Sequence, residues 1–215
     1  MKLKPRIVAS LGKNAVKDVL QASEADMMEV RLDLIDAEPL EVLRFVRSST
    51  SLPLIVTNRW MAEGGLFRGN EEERTDQLFL ATKYADFVDI ELRAHLRDEF
   101  IERIDKPVIV SYHDFISMPS QEELRSIVRE ISGTRASIAK IAVTPTCLRD
   151  NLTLLELLLE TDTPLCLIAL GELGRHMRAV APIYGSALTY GYVSEATAPG
   201  QMSVSELRQL RALLY

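Results

Sequence analysis

The sequence predicts an α/β protein folded as a (β/α)8 barrel, and three observations predict it. Eight short apolar, β-rich runs recur from one end of the 215-residue chain to the other. Helical patterns separate them, as parallel strands covered on both faces require. No glycine-rich phosphate-binding turn follows the first run, which disfavours an open doubly wound sheet. No linker or low-complexity stretch interrupts the series, so residues 1–215 are read as a single barrel domain.

The first strand is read at 6–10 (RIVAS), followed by a helix at 14–22. The second, MMEVRLD at 27–33, leads to a helix at 39–47. The third, PLIVTNR at 53–59, precedes NEEERTDQLFLATKYA, whose acidic residues sit in the first turn, where the helix dipole favours them. FVDIEL at 87–92 is the fourth strand, with a helix at 96–104. PVIVSYH at 107–113 is the fifth; its helix opens on Ser120 and Glu123, spaced as a capping box, and stops at Gly133. IAKIAV at 138–143 is the sixth, and the next helix has Asp150 as its candidate N-cap. PLCLIAL at 164–170 and SALTYGYV at 186–193 complete the strands, with helices at 174–181 and after the capping box of Ser203 and Glu206.

Composition bounds the function. Hydrophobic residues are 47% and charged residues 26%, the balance of a soluble globular protein. The net charge of −6 argues against nucleic acid, so complementarity to an anionic ligand has to be local. No apolar stretch is long enough to span a bilayer, and the N-terminus lacks a signal-peptide core, so no membrane partner and a cytoplasmic location are expected. Cys147 and Cys166 are read as reduced core or near-core thiols. Neither they nor His95, His113 and His176 show a metal spacing, so no metal and no cofactor are expected.

In a barrel, catalytic side chains sit at the C-terminal ends of strands. Lys140 lies among Ile138, Ala139, Ile141, Ala142 and Val143. A lysine at a strand end can snorkel to water. A lysine kept buried can instead serve as a nucleophile. Glu29, Arg31 and Asp33 alternate on one side of the second strand, where they form either a structural network or a binding surface. Arg59 and Glu63 follow the third strand, before a Gly64–Gly65 turn, and His113 ends the fifth. A buried lysine, a histidine one strand away and nearby charges suit Schiff-base chemistry. The lysine condenses with a ketone, and the histidine moves the acidified proton.

EVRLD, the R…EGG of NRWMAEGG, SYHDF, AKIAV, GELGRHMR…YGSALTYG and APGQMSVSEL resemble, in order, the motifs of the type I 3-dehydroquinate dehydratases. The resemblance covers nearly the whole chain. It implies conversion of 3-dehydroquinate to 3-dehydroshikimate in the shikimate pathway. It makes Lys140 the Schiff-base residue, His113 the acid/base and Glu63 the residue that orients it. It implies that Glu29, Arg31 and Arg59 hold substrate hydroxyls, that Arg178 pairs with the substrate carboxylate, and that Gln201 belongs to a lid over residues 194–203. Thr197 stands where the family usually has serine. A homodimer is implied as well. A Schiff-base aldolase and a non-catalytic metabolite-binding barrel are the competing readings.

Overall fold

The structure, a computed structural model, describes residues 4–214; Met1–Leu3 and Tyr215 lie outside the described residues. Eight parallel strands form the barrel: β1 (Arg6–Leu11), β2 (Met27–Arg31), β3 (Leu54–Thr57), β4 (Phe87–Glu91), β5 (Val108–Asp114), β6 (Ile138–Val143), β7 (Leu165–Ala169) and β8 (Leu188–Tyr192). A two-residue strand, β9 (Met202–Ser203), adds to β8. The ladder runs β7-β6-β5-β4-β3-β2-β1-β8-β9. The seam between β7 and β8 is closed partly by a side chain. Ala187 N–H donates to the Leu165 carbonyl at 2.8 Å. Ser186 Oγ accepts from Leu167 N–H at 3.0 Å and donates to the Leu188 carbonyl at 2.9 Å.

The helices between strands are α1 (Ala15–Asp18), α2 (Pro39–Ser49), α3 (Glu71–Ala81), α4 (Arg97–Glu102), α5 (Gln121–Ser132), α6 (Leu148–Glu160), α7 (Gly171–Gly174) and α8 (Met177–Val180), and α9 (Val204–Leu214) follows β9. The capping boxes at Ser120–Glu123 and Ser203–Glu206 both form. Strands β2 and β3 end at Arg31 and Thr57, short of the 33 and 59 read from the sequence, and two helix spans differ more. The helix expected at 14–22 is a single turn, and the one at 174–181 is two short turns, α7 and α8. Asp150 is not an N-cap: α6 starts earlier, and Asp150 reaches back to accept from the Thr146 and Cys147 N–H groups at 2.6 and 3.1 Å. Cys147 is correspondingly exposed at the start of that helix, not near the core.

Strand alternation divides the apolar residues into two cores. Ala139, Ile141 and Val143 of β6 face the helices, as do Ile7, Ala9 and Leu11 of β1. Val8, Met27, Ile55, Ile109, Ile138, Cys166 and Leu188 point inward and plug one end of the barrel. Two residues further along, the inward positions turn polar: Ser10, Glu29, Thr57, Asp89, Ser111 and Lys140. Lys140 interrupts an apolar run because its strand is apolar on both faces while its inward side reaches this polar layer.

Candidate active site

The polar layer opens into a small cavity at the C-terminal ends of the strands. Lys140 is 4% exposed. Its Nζ donates to Asp89 Oδ2 at 2.9 Å and lies 3.4 Å from Glu29 Oε1. The nitrogen also sits 4.4 Å from the centre of the Tyr190 ring, a cation–π distance. A buried ammonium is tolerated only with such partners, because desolvation costs several kcal/mol. Glu29 is fixed by hydroxyls: Oε1 accepts from Thr57 at 3.0 Å and Oε2 from Ser10 at 3.2 Å.

Arg59, just beyond β3, shares Asp89 with the lysine. Its guanidinium donates to Asp89 Oδ1 at 2.7 Å and to Ser111 Oγ at 2.8 Å, and it pairs with Glu91 Oε1 at 2.9 Å. Glu91 in turn pairs with Arg74 of α3. Between two cations, Asp89 is held ionised far below the usual carboxylate range despite complete burial. Arg31 forks onto Asp33 at 2.9 and 2.7 Å. Asp33 has left the strand for a short 3₁₀ turn and also accepts the N–H groups of Arg59 and Leu66.

His113 ends the inward series of β5. Glu63 Oε2 accepts from its backbone N–H at 3.1 Å and lies 3.0 Å from its ring Nδ1. With the carboxylate ionised, Nδ1 carries the proton and Nε2 is left as a base. Burial, with Arg59 and Lys140 nearby, pushes the imidazole well below its ordinary value. Burial raises the Glu63 carboxyl to about 7, against the pull of Arg59. Two glycines set this pairing. Gly64 is left-handed at φ 76°, and a Cβ on Gly65 would lie 2.0 Å from the Arg59 carbonyl oxygen.

Arg178, on α8, is 3% exposed. Its Nη1 donates to the Tyr190 carbonyl at 3.2 Å, leaving Nε and Nη2, one edge of the fork, without a partner among the described residues. Burial without a nearby carboxylate lowers this guanidinium to about 10. The 194–203 segment covers the same cavity. Gln201 Oε1 accepts from Thr197 N–H at 2.7 Å and from its hydroxyl at 3.2 Å. The threonine hydroxyl is also 3.0 Å from Ser10 Oγ. Gly200 approaches the Gly171 carbonyl so closely that a Cβ would lie 2.3 Å from its oxygen.

All nine residues singled out in the sequence therefore line one cavity: Lys140, His113, Glu63, Glu29, Arg31, Arg59, Arg178, Thr197 and Gln201. His95, His176 and Arg175 are exposed. The sequence reading missed Asp89, Glu91, Ser10, Ser111 and Tyr190. Asp89 and Glu91 had a signal, since they alternate within the apolar FVDIEL as Glu29 and Arg31 do in the second strand.

The family model for type I 3-dehydroquinase matches residues 8–215. A 3-dehydroquinate dehydratase of Methanothrix thermoacetophila is 51% identical over 205 residues, covering 94% of this chain and 89% of its own. That of Methanocella arvoryzae is 44% identical, covering 96% and 95%. The crystal structure of the Geobacillus kaustophilus 3-dehydroquinate dehydratase superposes with a TM-score of 0.89 at 26% identity, over 100% of this chain and 95% of that one. The Clostridium difficile type I enzyme, solved with covalently modified comenic acid, gives 0.87 at 30% identity, over 99% and 93%. These matches, over nearly the full length of the chain, show that it belongs to the type I 3-dehydroquinase family.

Proposed function

We propose that this chain is a hydro-lyase that dehydrates 3-dehydroquinate to 3-dehydroshikimate through a Schiff base on Lys140. The observation that carries the reading is the meeting of three groups in one cavity: a buried lysine, a buried histidine and an arginine edge with no partner among the described residues. The Lys140 amine adds to the C3 carbonyl, and water leaves to give the protonated imine. That cation draws electrons from the ring and acidifies the neighbouring C–H. His113 Nε2 takes the C2 proton, leaving an enamine. The electrons return to expel the C1 hydroxyl as water, with His113 giving its proton to the leaving oxygen. Hydrolysis of the imine frees the product and Lys140.

The free edge of Arg178 fits a carboxylate bidentately, and the substrate is a carboxylic acid. Glu29, Arg31 and Arg59 present charged groups to its hydroxyls. The 194–203 segment, held by Thr197 and Gln201, shields the imine from water. This reading takes residues 1–215 as one catalytic domain of a cytoplasmic homodimer. The free thiols Cys147 and Cys166 fit a reducing compartment, and gel filtration measures the assembly. The direct test mixes the purified protein with 3-dehydroquinate and follows the absorbance of the conjugated enone. The absorbance should rise with enzyme concentration; no rise would contradict the proposal.

A further inference from the structure

We propose that the Tyr190 hydroxyl is a substrate-binding donor, holding an oxygen of the bound hydroxy acid beside Lys140. The inference rests on the dehydratase reading and adds a residue to it. Among the described residues, seven buried side-chain polar atoms have no hydrogen-bond partner. Four of them belong to Glu63, Arg178 and Tyr190, which line the same cavity. Buried polar groups are nearly always paired, so a cluster of unpaired ones around a cavity points to a ligand that pairs them.

Tyr190 is 3% exposed and faces inward from β8. Two contacts fix it. The ring lies over Lys140 Nζ, and the backbone carbonyl accepts from Arg178 Nη1. The residue therefore sits between the nitrogen that reacts and the arginine that carries the free edge. A phenylalanine would supply the same ring without an unpaired hydroxyl, so packing alone does not account for the oxygen. Burial, reinforced by Glu29, Cys166 and Asp89, holds the phenol well above its ordinary value. It stays protonated through the neutral range and can act as a donor.

The test is Tyr190→Phe, which keeps the ring and deletes one oxygen. With 3-dehydroquinate, the variant should show a KM raised about tenfold and a kcat little changed, as expected when binding common to ground and transition state is lost. Its melting temperature without substrate should be equal to or above wild type, because removing an unpaired buried hydroxyl removes a desolvation penalty. A role in packing alone would not produce that combination. An unchanged KM with active wild type would overturn this inference and leave the dehydratase reading intact. A lowered melting temperature would do the same, since it would mean that the hydroxyl has a structural partner. Wild type that does not turn over 3-dehydroquinate would overturn the dehydratase reading first, and this inference with it.

Discussion

Replacing Glu63 with glutamine should stabilise the protein in alkaline solution while slowing its chemistry. The carboxyl is 4% exposed, and Oε1 has no partner. Its value is raised from 4.5 to about 7, chiefly by burial. Between those two pH values the folded protein holds a proton that the unfolded chain has released. Stability from this group therefore falls as pH rises through that window. A shift of about 2.5 units at about 1.4 kcal/mol each is roughly 3 kcal/mol, counting only this residue. Glutamine does not titrate, keeps the volume and still offers an oxygen to His113. The stability of Glu63→Gln relative to wild type should thus grow by up to about 3 kcal/mol between pH 4.5 and pH 8. For a chain of this size that is a gap of roughly 6–12 °C in Tm. The assay is thermal unfolding of both proteins at the two pH values, beside steady-state rates at pH 8. A pH-independent difference would refute the reasoning. A difference that widens on acidification would do so more strongly, because it would mean that Glu63 is stabilised as an ion.

Two further substitutions separate structure from binding. Asp89→Asn removes the anion shared by Arg59 and Lys140 and should cost about 3 kcal/mol, the low end for breaking a buried pair, because Glu91 and Glu29 remain. Urea unfolding measures it, and a loss within about 0.5 kcal/mol would mean that Asp89 is not the structural centre of the site. Arg178→Ala should raise KM by roughly ten- to a hundredfold with kcat little changed, the value of hydrogen bonds to a charged group. An unchanged KM would place the carboxylate elsewhere.

The barrel was legible because eight apolar strands and their helices repeat along the chain, and local periodicity is enough to show that. Alternation puts Lys140 on one face with Ile138 and Ala142, but both faces of the strand are apolar, so the periodicity alone did not say which face is inward. What was not legible depends on distant pairing. Glu63 meets His113 across 50 residues because Gly64 and Gly65 fold the loop back; the resemblance implied that pairing, but no local pattern shows it. The Ser186 bridge at the β7–β8 seam joins groups whose proximity exists only once the barrel closes. Tyr190 lies inside the strand run SALTYGYV, and nothing in that sequence context marks an unpaired hydroxyl. Asp33 followed the alternation in sequence but turned out of the strand, because Arg31 and two backbone N–H groups hold it in a turn.

The central claim is that Lys140 forms a covalent imine with substrate, and intact-protein mass after borohydride reduction tests it most directly. Wild type treated with 3-dehydroquinate and borohydride should gain the mass of one reduced adduct, and peptide mapping should place it on Lys140. Lys140→Ala should show neither the adduct nor turnover. An adduct on another lysine, or substantial dehydration by Lys140→Ala, would contradict the account.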